Sequence, residues 1–97
     1  MARVEISPEA VEDLDRLIGS HGLPSDTRLR VARSLRALEL FPRVGVELGG
    51  RWSGHRFVIG PWPWLIIVYE LLEASDLVSV VAIHDGRSAS SAAATDS

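Results

Sequence analysis

The sequence predicts an α+β fold of order β-α-α-β-β-β, in which the N-terminal strand and a helix hairpin pack on one face of a small antiparallel sheet. Three observations lead to this prediction. Apolar and polar residues alternate at the start of the chain, two amphipathic segments of helical period follow, and apolar runs separated by turn residues fill the second half. Such a two-layer arrangement leaves the other face of the sheet free for recognition.

The first segment predicts a strand that leads directly into a helix. Residues 3–6 alternate polar and apolar side chains, which is typical of a short, half-buried strand. Ser7 and Pro8 then form a helix start signal, because serine caps the first turn and proline is already set to the helical φ angle. Gly19 or Gly22 is expected to end this helix.

A second helix is expected over residues 27–40. Ser25 or Asp26 supplies its cap, and Phe41 with Pro42 stops it, since proline cannot continue the hydrogen-bond ladder. The apolar stripe of this helix consists of Val31, Leu35 and Leu38. Its other side carries Arg28, Arg30, Arg33 and Arg36, which we interpret as a solvated face.

The second half of the chain predicts a loop followed by three strands. Four glycines mark the loop before residue 56, within which residues 44–48 have the pattern of a short strand. The three strands are predicted at residues 56–60, 64–73 and 77–84, the last two as a hairpin, with a stiff Pro-Trp-Pro turn before the second. One domain is therefore predicted over residues 3–87, and residues 88–97, rich in Ser and Ala, are predicted to be a disordered tail.

The composition excludes several classes of function. The chain of 97 residues has a net charge of −3, ten arginines and no lysine, so the overall charge does not favour non-specific nucleic-acid binding. It has no cysteine, no N-terminal hydrophobic signal and no apolar run long enough for a membrane helix, which predicts a cytoplasmic protein. Three histidines with no metal-binding spacing predict neither a metal nor a cofactor.

A few polar residues of the predicted sheet are candidates for chemistry. Arg56 opens one strand, Tyr69 lies inside the next, and His84 and Arg87 follow at the end of the last. Arginine binds phosphate oxygens and histidine acts as an acid or base near neutral pH. Both residues also have a structural interpretation, which we favour: Tyr69 fits a core position, and His84 fits an ordinary strand end. Three tryptophans are expected to cluster at the Pro-Trp-Pro turn, as core or as a protein interface: Trp52, Trp62 and Trp64.

Five segments, taken in order, together resemble the RelE/ParE superfamily of toxins from type II toxin–antitoxin modules. They are VEISPEAVEDLDRL, LRALELFPRVGVELGG, GHRFVIG, IIVYE and VVAIHDGR, and they extend from about residue 3 to residue 87. The resemblance implies a small bacterial cytosolic toxin with this fold, neutralised by an antitoxin segment that wraps around it. It also implies a cellular target, which is ribosome-bound mRNA in some members and DNA gyrase in others.

The resemblance also implies roles for individual residues. Arg87 matches the family's arginine after the last strand, and His84 stands where many members have histidine, so these two residues and Arg56 are the catalytic candidates. The residues expected to bind substrate are Arg43, Arg51 and Tyr69, and those expected to meet the antitoxin are Trp62 and Trp64. The chain departs from RNA-cutting members at Ile66, where they usually have arginine, and it has no aromatic residue after Arg87.

Three functions follow from the resemblance. The first is ribosome-dependent cleavage of mRNA, or inhibition of translation, of the RelE type. The second is inhibition of DNA gyrase by binding, without nuclease chemistry. The third is a degenerate toxin whose relevant partner is the antitoxin alone.

Overall fold

The computed structural model describes residues 1–87 as two helices and a five-stranded sheet, which confirms the predicted α+β class and the order of the elements. The elements are β1 Arg3–Ile6, α1 Pro8–His21, α2 Thr27–Leu40, β2 Val46–Glu47, β3 His55–Ile59, β4 Leu65–Leu72 and β5 Leu77–Asp85. Short 3₁₀ turns at Gly50–Trp52 and Glu73–Ser75 precede β3 and β5. The tail predicted at 88–97 lies outside the described residues.

The sheet has the strand order β1-β5-β4-β3-β2 and is mixed, not wholly antiparallel. Strands β2 to β5 pair antiparallel, whereas β1 pairs parallel with β5 at the edge of the sheet. The N-terminal strand is thus part of the sheet and does not pack on its face. Neighbouring parallel strands need a long connection, and here both helices and three strands lie between β1 and β5 in the sequence.

Helix α1 begins and ends at residues that the sequence marked. The Ser7 hydroxyl accepts the N–H of Ala10 at 3.1 Å, which satisfies one of the free donors of the first turn. At the other end it is Gly22, with φ of 59°, that adopts the left-handed conformation and donates its N–H to Ile18 O. This cap ends the helix directly after His21 and so fixes the position of that residue.

Helix α2 begins at a different kind of cap. Asp26 occupies the cap position but makes no capping bond, and its carboxylate instead pairs with Arg30 at 3.0 Å. The buried Thr27 hydroxyl donates to Pro24 O at 2.6 Å and ties the connector to the first turn of the helix. The helix ends at Leu40, before Phe41 and Pro42, as the sequence indicates.

One hydrophobic core lies between the helices and one face of the sheet, which we call the covered face. Its buried members are Ala2, Ala10, Leu14, Val31, Leu35, Leu38, Leu65, Ile67, Tyr69, Val78, Val80 and Ile83. Each large aliphatic side chain removed from water in this way contributes roughly 1.5–3 kcal/mol to the hydrophobic term. The core therefore supplies the main favourable term in the stability of the fold.

A β-bulge in β5 decides which side chains reach the covered face. Tyr69 pairs with Val80 whereas Val68 pairs with Ala82, so Val81 is an extra residue in the strand. The alternation is reversed beyond this point. Even-numbered residues of β5 face the helices before the bulge, and odd-numbered ones face them after it. His84 consequently lies on the opposite face of the sheet.

Candidate functional site

The sheet face opposite the helices, which we call the open face, carries the candidate site. Cross-strand pairs place its side chains in three rows: Ile59, Ile66 and His84; Phe57, Val68 and Ala82; and His55, Glu70 and Ser79. The two histidines occupy opposite corners of this grid, one at the start of β3 and one near the end of β5. Strand pairing alone thus brings two imidazoles to one surface.

Trp52 lies over the middle of the open face. Its ring centroid is 5.4 Å from that of His55 and 6.4 Å from that of His84, with both rings edge-on to the indole. The indole therefore lies between the first and third rows, which accounts for the burial of Val68 (4% exposed) and Ala82 (7% exposed) on a face that no helix covers. The sequence predicted that this face is free. In the structure it is partly covered, because the 3₁₀ turn before β3 folds back onto it.

His55 has a polar atom that the protein leaves unsatisfied. Its Nδ1 is buried and makes no hydrogen bond to any group in residues 1–87. Glu70 is its direct cross-strand neighbour on the open face. A buried polar nitrogen without a partner costs free energy, so His55 is a strained point in the polar pattern of the open face.

The side chains of the open face suit nucleic-acid chemistry. Imidazoles exchange protons near neutral pH, and a half-exposed indole offers a surface on which a base stacks. Trp52 itself is 38% exposed, so its outer surface is accessible. Arg51 precedes Trp52 in the same 3₁₀ turn and is exposed, which places a permanent positive charge in the segment that crosses this face.

The structure does not bring Arg56 and Tyr69 together with His84. The two residues pair with each other across β3 and β4, on the covered face. Tyr69 is fully buried and donates its hydroxyl proton to Pro42 O at 2.7 Å while accepting the N–H of Gly45 at 3.0 Å. Burial raises the pKa of the Tyr69 phenol, against the opposing effects of the Gly45 N–H and the Arg56 charge. Tyr69 thus supports the loop before β2 and has no surface for substrate.

Arg56 has a similar structural position. Its guanidinium donates to the backbone oxygens of Arg43 at 3.2 Å and Gly45 at 3.0 Å, and to the Glu47 carboxylate at 2.9 Å. The side chain of Arg43, another predicted substrate ligand, extends to Glu73 at 2.7 Å. Arg56 therefore holds the loop that Tyr69 also holds, on the side of the sheet away from the two imidazoles.

Arg87 and two of the tryptophans form a separate stack beyond the end of β5. The rings of Trp62 and Trp64 are parallel at 5.8 Å, and the Arg87 guanidinium lies 5.0 Å from the centroid of Trp64. His21 stacks on Trp64 at 5.0 Å. Trp62 and Trp64 are half-buried against the core, so they lie together at the Pro-Trp-Pro turn as predicted, but Trp52 lies on the other face of the sheet.

Asp85 joins this stack to the end of the last strand. It accepts hydrogen bonds from the Arg87 guanidinium and backbone N–H, and its carboxylate lies 2.9 Å from His21 Nε2. The Arg87 guanidinium is the main cause that holds the pKa of Asp85 well below its usual range, and the hydrogen bond to His21 adds to it. Arg87 is thereby directed toward the Trp64 side, not toward His84.

The sequence prediction missed Trp52 and His55 as members of the site. A signal for His55 is present, since it begins the alternating series His55, Phe57 and Ile59, whose period of two places all three on one face. No comparable signal exists for Trp52. Its position depends on a glycine-rich turn that folds back over the sheet, and turn geometry of that kind is not encoded in a periodic pattern.

Several solved toxin structures have a fold similar to that of this chain. The isolated RelE toxin of E. coli matches with a TM-score of 0.66 at 15% identity, covering 100% of both chains. The RelBE2 toxin–antitoxin complex of Mycobacterium tuberculosis matches with a TM-score of 0.61 at 20% identity, covering 87% of this chain and 96% of the other. YafQ of E. coli matches with a TM-score of 0.61 at 15% identity, covering 92% of this chain and 98% of the other. The chain therefore has the fold of RelE-type toxins.

Comparison of the sequence with known proteins gave no further match, and the described residues contain neither a metal cluster nor a membrane-spanning helix. No family model matches the chain, and no curated protein matches it in sequence. Within residues 1–87, no group of three His, Cys, Asp or Glu side chains is arranged to hold a metal ion. In the same residues, neither helix is both long and apolar enough to cross a membrane.

Proposed function

We propose that this chain is the toxin of a toxin–antitoxin module and that it cleaves RNA on the open face of its sheet. The fold of RelE-type toxins supports the first part of this proposal. One observation carries the second part: His55 and His84 flank the half-exposed ring of Trp52 on the sheet face that the helices leave uncovered. Ribosome-bound mRNA is the proposed substrate, and a cognate antitoxin is the proposed partner that covers this face.

The two imidazoles divide the chemistry between them. One removes the proton of a ribose 2′-hydroxyl, and the resulting oxygen attacks the adjacent phosphorus. The bond from phosphorus to the 5′-oxygen then breaks, and the other imidazole protonates that oxygen. The products are a 2′,3′-cyclic phosphate and a 5′-hydroxyl, so neither water nor a metal ion is consumed. Arg51 is the proposed source of positive charge for the phosphorane.

Trp52 stacks on a base of the RNA and also separates the two imidazoles. A base of the RNA stacks on its exposed surface and fixes the register of the strand. The indole also separates the two imidazoles, so a phosphate that both of them reach requires the indole to swing away from the middle row. RNA binding and the movement of the 3₁₀ turn at Gly50–Trp52 are therefore coupled.

Inducible expression with separate readouts of transcripts and DNA tests this proposal. We expect growth arrest with mRNA cut at defined positions and intact DNA. His84→Ala and His55→Ala should each lower the rate of cleavage by at least about 100-fold, the usual contribution of a general acid or base. His21→Ala is the matched control, because the third histidine lies in the Trp64 stack on the other side of the sheet.

Three outcomes would contradict the proposal. Arrest with intact transcripts and induced DNA damage would instead identify an inhibitor of gyrase that acts by binding. Cleavage that survives the double variant His55→Ala with His84→Ala would exclude the open face as the site. Absence of any arrest would leave binding of the antitoxin as the activity of the chain, and the nuclease proposal would fall.

A further inference from the structure

Helix α2 carries a stripe of residues directly opposite its buried face. The buried face consists of Thr27, Val31, Leu35 and Leu38. The stripe, which we call the outer stripe, consists of Leu29, Arg33, Arg36 and Leu40. Its members are spaced four, three and four residues apart, which aligns them along one side of a helix over about 17 Å. It thus has apolar ends and a positive centre.

The charges of the outer stripe differ from those of its flanks. Arg28 pairs with Asp15 of α1, and Arg30 pairs with Asp26. Arg33 and Arg36 are exposed, and neither has a carboxylate partner among residues 1–87. Two like charges one helical turn apart repel each other, and within residues 1–87 no ion pair offsets this repulsion. The centre of the outer stripe is therefore a positive patch that an acidic partner would complement.

The ends of the outer stripe present apolar surface. Leu29 is 51% exposed and Leu40 is 63% exposed, and Phe41 extends the apolar end beyond the helix. Directly after it lies a shallow hollow of about 340 Å³, lined by Phe41, Pro42, Arg43 and Val44. Small residues flank the centre of the stripe, since Ala32 and Ala37 lie on either side, so another helix can approach closely.

We propose that the outer stripe and this hollow bind an acidic amphipathic helix of a partner protein. The partner's carboxylates would lie over Arg33 and Arg36, and its apolar side chains would contact Leu29, Leu40 and the hollow. This inference concerns a surface other than the open face and does not depend on RNA cleavage. The sequence alone predicts only a solvated face here, because it does not show which arginines already have partners.

Two other occupants fit the outer stripe less well. An RNA backbone would compensate Arg33 and Arg36 but would leave Leu29, Leu40 and the hollow without apolar contacts. A second copy of this chain docked two-fold on the same stripe would place arginines against arginines, since such an interface is self-complementary. An acidic helix with apolar residues matches both the charge and the apolar ends.

The test uses two synthetic helical peptides of three to four turns that share leucines on one face. One carries glutamates beside the leucines, and the other carries lysines at the same positions. Titration into the full chain, followed by fluorescence anisotropy and by amide chemical shifts, gives the affinity and the location. We expect saturable binding of the glutamate peptide, with shifts confined to α2 and the hollow, and at least about tenfold weaker binding of the lysine peptide.

Charge reversal identifies the residues. The double variant Arg33→Glu with Arg36→Glu should lose at least about tenfold in affinity for the glutamate peptide and should gain affinity for the lysine peptide, a reversal that only a folded chain can show. Arg3→Glu with Arg16→Glu is the control, since it changes the net charge equally at exposed positions outside the outer stripe and should leave affinity unchanged. A third variant, Leu40→Ala, should weaken binding of the glutamate peptide.

Several results would overturn the inference. The first is no saturable binding of the glutamate peptide, and the second is equal loss in the control variant. The third is a single-stranded RNA probe whose binding depends on Arg33 and Arg36 while the peptide does not bind. The fourth is a concentration-dependent dimer in sedimentation that the Arg33→Glu, Arg36→Glu variant abolishes. None of these results affects transcript cleavage, so failure here is distinguishable from failure of the proposed nuclease function.

Discussion

The two faces of the same sheet differ in how their polar groups are used. On the covered face, Tyr69 and Arg56 have their hydrogen bonds satisfied by the loop before β2. On the open face, the buried Nδ1 of His55 has no partner in the described chain, and Trp52 is the main cover. Satisfied networks stabilise a fold, whereas a buried polar group without a partner destabilises it and calls for an explanation. The difference indicates that the covered face determines stability and that the open face is the place to look for function.

Insertion of one alanine between Ala82 and Ile83 is the strongest way to break this comparison. One added residue moves Ile83, His84 and Asp85 to the opposite faces or out of their pairing, so Ile83 leaves the core and Asp85 leaves His21. We expect the free energy of unfolding, measured with urea, to fall by about 3–5 kcal/mol, as for loss of a buried isoleucine with its surroundings. Val81→Ala keeps the strand length and should cost less than about 1 kcal/mol. An insertion no more costly than that substitution would refute the strict register given to the end of β5.

Tyr69→Phe tests the covered face by removing one oxygen atom. The Gly45 N–H and Pro42 O lose their partner, and leaving buried backbone groups unpaired costs about 1–3 kcal/mol. We expect a loss of about 2 kcal/mol in urea unfolding. His84→Ala, on the open face, should change stability by less than about 0.5 kcal/mol. Equal effects of the two substitutions would remove the distinction between the faces.

Trp52→Ala sharpens the description of the open face. The substitution exposes Val68 and Ala82, which should cost about 1 kcal/mol of stability through the lost apolar burial. Cleavage of RNA should also fall about tenfold, since stacking of one base contributes about 1–3 kcal/mol. Trp52→Phe should restore most of both properties. Unchanged cleavage in the alanine variant would show that no base stacks on this ring.

Asp85→Asn should change the stability of the fold least, and the size of this change should depend on pH. The folded state lowers the pKa of Asp85 from its usual 3.8, so the ionised carboxylate adds stability above that pH and the contribution is lost as the pH falls through the folded value. We expect a small decrease in the urea midpoint at neutral pH that shrinks below about pH 4. Asp26→Asn, at an exposed pair with Arg30, is the control. A difference that grows toward low pH would contradict this assignment.

The fold was largely predictable because each element has a local cause. Ser7 and Gly22 set the ends of α1, Pro42 limits α2, and alternation marks the strands. The site was predictable only in part. His84, predicted as a candidate from its place at the end of the last strand, lies on the open face, but Arg56 and Arg87, chosen on the same reasoning, lie on the side of Tyr69 and Trp64. Trp52 could not be assigned to a face, because no periodicity extends into its turn.

The sequence by itself determined the helix boundaries, the order of the elements and the apolar residues of the core, because caps, breakers and hydrophobic period act over a few neighbouring residues. The tertiary structure decided which face each polar side chain occupies. One extra residue at Val81 reverses the alternation, and pairing of β1 with β5 and folding of Trp52 over the sheet join distant segments. Those contacts depend on how the strands align in space, and their energies arise only when the sheet has formed.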